Sequence, residues 1–263
     1  MGLPIAGTPF GASPSFVDLI RRQEPEVLAA RFPQEALADL RIPHGTTVLG
    51  LKYADGMLMA GDRRATAGNF IADAKIRKVF AADDYSAIAI AGAAGQAEEL
   101  VKLFQLELEH YEKITGDRLS LEGKANRLAQ MIRSNFPMAL QGLAVVPLFG
   151  GYDERRAEGR IFYYDATGGR WEEEDYQTTG SGSLPAKNSL KKRWNPGLDR
   201  DQALRVAAEA LIDAAEDDAA TGGPDPTRKL WPVIVTVTAT GAQDVPDDQV
   251  ASAVQAVLEE RAR

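Results

Sequence analysis

At Thr46 the character of the chain changes, and that change dictates much of what it can fold into. Before it, six of the fourteen prolines (Pro4, Pro9, Pro14, Pro25, Pro33 and Pro43) interrupt any long regular element. After it the hydrophobic period becomes two. Residues 47–53 and 57–62 alternate across an Ala54-Asp55-Gly56 turn, the signature of a β-hairpin. The pattern divides the chain into a removable leader, 1–45, and a globular part, 46–263. Two short amphipathic pieces in the leader, 15–22 and 34–40, are expected as brief helices.

The globular part reads as alternating blocks. A second hairpin spans 75–81 and 86–92 around Asp83-Asp84. Two helices follow, over 96–114 with Leu100, Leu103, Phe104, Leu108 and Tyr111 on one side, and over 121–140 with Leu121, Ala125, Leu128, Ile132 and Ala139 as its stripe. Strands resume at 142–150, 160–165 and 175–180. Helices are expected over 184–194 and 199–217, the latter with Asp199 as N-cap. A β-rich run at 231–240 and an amphipathic helix over 247–263 close the chain. Antiparallel strand blocks separated by helix pairs predict an α+β chain: a four-layer αββα sandwich, two sheets face to face with helices outside.

Composition narrows the chemistry. The net charge of −8 argues against nucleic acid as the main partner, because phosphate binding needs a basic face. Lys191-Lys192-Arg193 is too short and too outnumbered by acids to change that, and Glu172-Glu173-Glu174-Asp175 reads as a solvated turn. With no cysteine there is no disulfide, thiolate zinc site or cysteine nucleophile. Only His44 and His110 are present, the first in the leader and the second on a charged helix face. A hydrolase built on this chain therefore needs a base other than imidazole, and neither a metal nor another cofactor is expected. No apolar run approaches the roughly 18–20 residues of a membrane span, and the first twenty residues lack a secretory pattern, so a cytoplasmic protein is expected. There is no Gly-x-x-x-x-Gly-Lys-[Ser/Thr] loop for ATP.

One junction supplies the missing base. Gly45-Thr46 is an unhindered bond directly before the first strand-like run. Cleaved there, Thr46 carries a hydroxyl nucleophile and an α-amine base on one residue. A free α-amine titrates near about 7.7–8.0, whereas the same nitrogen acylated by Gly45 has no basicity. Thr47 is a competing nucleophile; the unhindered bond after Gly45 favours Thr46. Downstream, Asp62 and Lys78 by themselves read as a structural ion pair.

From Thr46 onward the chain resembles proteasome β-subunits, most closely the actinobacterial type. The resemblance is carried by Gly45-Thr46-Thr47, Gly61-Asp62-Arg63-Arg64-Ala65-Thr66, Ile76-Arg77-Lys78-Val79, Ala91-Gly92-Ala93-Ala94-Gly95, Gly180-Ser181-Gly182-Ser183 and Asp218-Ala219-Ala220-Thr221-Gly222-Gly223, in order and at family spacing. It implies the N-terminal-nucleophile hydrolase fold and a threonine endopeptidase made active by self-cleavage at Gly45-Thr46. Catalytic roles would fall to Thr46, whose spacing to Asp62 and Lys78 fits the family from that start, to Lys78, which would stabilise a developing alkoxide and depress the amine's pKa, and to Asp62, which would hold Lys78. An oxyanion-binding N–H would fall to Gly92, and ordering of the threonine amine to Ser181, Asp218 and Thr221, where the family usually has serine at the last position. Ala65, Ile76, Ile90 and Ala94 would line an apolar pocket for the residue before the scissile bond, and Thr66 would align the substrate backbone beside the Gly68-Asn69 turn. The resemblance also implies heptameric β-rings between α-subunit rings, an ATP-dependent unfoldase ring and unfolded protein substrates, with no nucleic acid or membrane partner. Another N-terminal-nucleophile amidohydrolase acting on a small amide, and a catalytically silent ring subunit, are the alternatives.

Overall fold

A computed structural model describes residues 46–262. Residues 1–45, expected from the sequence to be a removable leader ending at Gly45, lie outside the described residues. Two five-stranded antiparallel sheets carry the fold. The strands are β1 (Thr47–Tyr53), β2 (Gly56–Gly61), β3 (Ala65–Ala67), β4 (Phe70–Asp73), β5 (Val79–Asp83), β6 (Ser86–Gly92), β7 (Val145–Asp153), β8 (Glu158–Tyr164), β9 (Arg170–Glu173), β10 (Tyr176–Gly180), β11 (Val233–Thr238) and β12 (Gly241–Asp244). The first sheet runs β10-β1-β2-β11-β12, the second β5-β6-β7-β8-β9, and β3 pairs only with β4.

Both faces of the central strands are apolar, and their alternation decides which layer each residue joins. Val48, Met57, Met59, Val235 and Val237 of the first sheet meet Ala87, Ala89, Leu148 and Ile161 of the second in an inter-sheet core. The opposite face of the first sheet, with Leu49, Leu51, Leu58 and Ile234, packs against α4 (Ser183–Arg193), α5 (Arg200–Asp217) and α6 (Asp247–Arg261). The opposite face of the second, with Ile88, Phe149 and Phe162, packs under α1 (Ala94–Thr115) and α2 (Leu121–Ser134). Phe149 anchors this outer core, edge-on to Phe104 and stacked on Phe162. The four-layer sandwich expected from the sequence is the observed architecture.

Local chemistry explains several element ends. Asp199 caps α5 in a reciprocal box with Gln202, as its position predicts. Gly116, at φ +76°, ends α1 in the left-handed conformation. Three readings need correction. The 121–140 helix breaks at Asn135, and α3 (Phe136–Ala139) is a separate turn with Pro137 in its first turn. Leu103 and Tyr111 do not join the buried stripe of α1 but face outward, 47% and 41% exposed, because Leu100, Phe104 and Leu108 already fill the face toward the sheet. Only half of the acidic run at 172–175 is a solvated turn: Glu174 and Asp175 form an exposed bend, whereas Glu172 and Glu173 lie on β9, and Glu172 bonds the buried Arg160. Arg160 on β8 also reaches Asp153 and Glu122, both at 2.9 Å, which ties the outer edge of the second sheet to α2. Among the described residues no helix is long and apolar enough to cross a membrane, and no cluster of metal-binding side chains occurs.

Candidate active site

Six separate segments bring their ends together at one end of the sandwich. Thr46 precedes β1, which pairs with β10 through Thr47 and Gly180 and with β2 through Val48 and Gly61. Asp62 follows β2, Lys78 precedes β5, Gly92 ends β6, Ser181 follows β10, and Asp218 caps the C-terminus of α5.

The centre is a buried ion pair that crosses from one sheet to the other. Lys78 Nζ donates to Asp62 Oδ1 at 2.7 Å and to the Arg64 carbonyl at 2.6 Å. Asp62 is 1% exposed and accepts three more hydrogen bonds, from the N–H groups of Thr47 (2.8 Å), Arg64 (2.8 Å) and Gly222 (2.9 Å). Four donors on one carboxylate orient it completely. Burial pushes the Lys78 pKa below the ordinary lysine value, opposed by Asp62 and, more weakly, by Asp218.

A second polar group lies against the Thr46 main chain. Ser181 Oγ accepts from Thr46 N at 3.3 Å and lies 3.3 Å from the Thr46 carbonyl oxygen and 2.5 Å from Asp218 Oδ2. Thr221 Oγ1 donates to the same Asp218 oxygen at 2.6 Å and meets Thr47 Oγ1 at 2.6 Å. Burial pushes the Asp218 carboxyl upward, but the hydroxyls of Ser181 and Thr221, the Ala220 N–H and the charge of Lys78 outweigh it and leave its pKa below the usual carboxylate value.

Glycine is required where these segments touch. A Cβ at Gly180, at φ +102°, would lie 1.9 Å from the Thr46 carbonyl oxygen, and one at Gly182 would lie 2.3 Å from Thr47 Oγ1. Gly92, at φ +124°, would place a Cβ 2.2 Å from the Ala144 carbonyl oxygen.

Beside this centre opens a cavity of about 310 Å³ lined by Thr46, Lys78 and Gly92. The same wall carries Ala65, Thr66, Ile76, Ile90 and Ala94, the five residues expected to contact substrate. The described part of the predicted constellation is therefore in one place, in two connected halves: Thr46, Lys78, Gly92 and the five lining residues at the cavity, and Asp62, Ser181, Asp218 and Thr221 on the hydrogen bonds behind it. Gly45 falls outside the described residues. Thr66 Oγ1 is buried and, among the described residues, has no hydrogen-bond partner.

The proteasome-subunit family model matches residues 42–225, a span that contains every one of these residues. The chain belongs to this family. It is also 52% identical to a "Proteasome subunit beta" from Streptomyces griseus subsp. griseus over 260 residues, covering 98% of this chain and 92% of that relative. The proteasome resemblance read from the motifs is thus the family assignment, on the β-subunit side.

Sequence reasoning missed several parts of this proteasome-type site. Phe80 and Ala97 deepen the apolar wall, while Arg77 and Glu98 add charge to it. Phe80 could have been found from its period-two spacing with Lys78. The Arg64 carbonyl and the Gly222 N–H act through the backbone, where side-chain identity carries no signal. Thr47, the rival nucleophile in the sequence, has its N–H and hydroxyl both engaged inside the site.

Proposed function

We propose that this chain is the threonine endopeptidase subunit of a proteasome core particle, with Thr46 as nucleophile once the Gly45–Thr46 bond is broken. Threonine proteolysis is the general function of the family. The observation that carries the reading is the convergence on one cavity of Thr46, the buried Lys78–Asp62 pair and an apolar wall.

In the mature chain the α-amine of Thr46 takes the proton from its own hydroxyl as oxygen attacks the substrate carbonyl. Lys78 supplies a fixed positive charge toward the developing alkoxide, and its depressed pKa reflects how little water shares that charge. Asp62 keeps the ammonium protonated and aimed. The Gly92 N–H stabilises the oxyanion of the tetrahedral intermediate. Ser181 commits its proton to Asp218 and offers only a lone pair to Thr46 N, which orients the amine. The amine then returns its proton to the leaving nitrogen, and water releases the acyl group.

Removal of the leader uses the same hydroxyl in cis. Thr46 Oγ1 attacks the Gly45 carbonyl, the Gly45–Thr46 C–N bond breaks to leave a Gly45 ester and the free Thr46 amine, and water hydrolyses the ester. Because the acylated nitrogen has no basicity, a base other than the α-amine carries the hydroxyl proton to the departing nitrogen. The apolar wall of Ala65, Ile76, Ile90 and Ala94 supports a preference for hydrophobic side chains before the scissile bond. The particle is cytoplasmic, with heptameric β-rings between α-rings, and receives unfolded chains from an ATP-dependent unfoldase ring. The N-terminal residue of the active protein, with labelling by an electrophilic peptide, tests the proposal. The expected result is an N-terminal Thr46 carrying the adduct. Full activity with residues 1–45 still attached refutes it.

A further inference from the structure

One buried hydroxyl in the site has no part in that scheme. Thr47 is fully buried directly beside the nucleophile, at the pairing of β1 with β10. Its Oγ1 lies 2.6 Å from Thr221 Oγ1, and proton counting fixes the direction of that bond. Thr221 Oγ1 has one proton and gives it to Asp218 Oδ2, so it can only accept from Thr47. Asp218 Oδ2 also takes the Ser181 proton. The chain of donation is therefore Thr47 to Thr221 to Asp218, with Ser181 donating to Asp218 from the other side.

We propose that Thr47 is a positioning residue: its hydroxyl holds the Ser181–Asp218–Thr221 group while its N–H holds Asp62, so that one residue keeps the two halves of the site in register around Thr46. This rests on the endopeptidase reading above. The second link is local. The Gly222 N–H, one residue beyond Thr221, donates to the Asp62 oxygen that Thr47 does not use, so the 218–222 turn is pinned by Thr47 at its hydroxyl and by Asp62 at its backbone. Gly182 seals the contact, since a Cβ there would strike both Thr47 Oγ1 at 2.3 Å and Thr221 Oγ1 at 2.7 Å. No solvent route substitutes for the donor, because Thr47 and Thr221 are both 0% exposed. Valine in place of Thr47 keeps the shape and leaves the Thr221 oxygen without its donor. Serine keeps the donor.

The test uses assembled, mature particles and a fluorogenic peptide. Thr47→Val is expected to lower kcat about tenfold with KM within about twofold, as loss of one buried hydrogen bond that orients the reacting groups without touching substrate. Thr47→Ser recovers most of that loss. Thr221→Val cuts the same link from the other end, and adding Thr47→Val to it lowers kcat no further, because the two residues act as one unit. A rise in KM with kcat unchanged, a Ser variant as impaired as Val, or additive losses in the double variant overturns the inference. If Thr47→Val yields no assembled particle, an unimpaired Thr221→Val overturns it alone. Labelling of Thr46 in the parent particle separates the two readings: no labelling defeats the endopeptidase assignment, whereas labelling with additive losses defeats only the role of Thr47.

Discussion

Asp62→Asn leaves the shape of the site nearly unaltered and reverses half of its hydrogen-bond polarity. The carboxylate accepts from Lys78, Thr47, Arg64 and Gly222. An asparagine offers one oxygen, so one pair of donors faces an NH₂ group whichever way the amide turns. Each buried donor left without an acceptor costs about 1–3 kcal/mol. Lys78, whose side chain is 5% exposed, also loses its counterion, and breaking a buried pair from one side costs about 3–5 kcal/mol. These costs overlap, and a total of about 5 kcal/mol is comparable with the roughly 5–15 kcal/mol that holds a domain together. Burial already lowers the Lys78 pKa against the opposing pull of Asp62. Without that pull the ammonium gives up its proton more readily, and kcat is expected to fall by about 10²-fold or more. Urea unfolding and peptide hydrolysis on the same preparation measure both effects. Adding Lys78→Met removes the stranded ammonium and restores part of the stability but none of the activity. An Asp62→Asn protein within about 0.5 kcal/mol of its parent and still hydrolysing peptide would refute the reasoning.

Further expectations follow from the same geometry. Gly92→Ala forces a Cβ to 2.2 Å from the Ala144 carbonyl oxygen at a φ of +124°; it should destabilise by at least about 1–3 kcal/mol and abolish hydrolysis, read by thermal unfolding and peptide turnover. Ala94→Ile narrows the cavity and should reduce kcat/KM for peptides with a large apolar residue before the scissile bond by about tenfold, with less loss for alanine there; equal losses count against the pocket assignment. Arg160 holds the Glu172 carboxyl below its usual range, and for Glu122 and Asp153 burial pushes upward but guanidinium hydrogen bonds outweigh it. All three folded pKa values are depressed, so the stability they give is complete above the unfolded carboxylate values and is lost as pH falls through the folded ones. Arg160→Ala should cost about 3 kcal/mol at neutral pH and flatten the acid dependence of unfolding; an unchanged slope rules this out.

Much of this was legible because the chain writes its layers in two clear periods. The alternation from Thr47 to Gly61 and the helical stripe from Leu121 to Ile132 gave both sheet and helix layers, and Asp199 marked its helix start. Edges were harder to read. Strand β9 was missed because Arg170, Glu172 and Glu173 look like surface residues, yet Glu172 pairs inward with Arg160 from a neighbouring strand, a partner no local pattern displays. The α1 stripe was overread because a helix against a sheet buries only one narrow face, leaving Leu103 outside. In the site, motif residues came from family spacing, while the Arg64 carbonyl and the Gly222 N–H depend on backbone direction, which side-chain chemistry does not encode.

The Lys78–Asp62 bond has an implication for the timing of activity. Asp62 is delivered by the first sheet and Lys78 by the second, so neither sheet alone assembles the pair. A nascent chain with one half folded holds a threonine without its charged neighbour. On the endopeptidase function proposed above, the reactivity of Thr46 is thereby withheld until the two sheets have closed on each other, and completion of the fold itself is the safety catch.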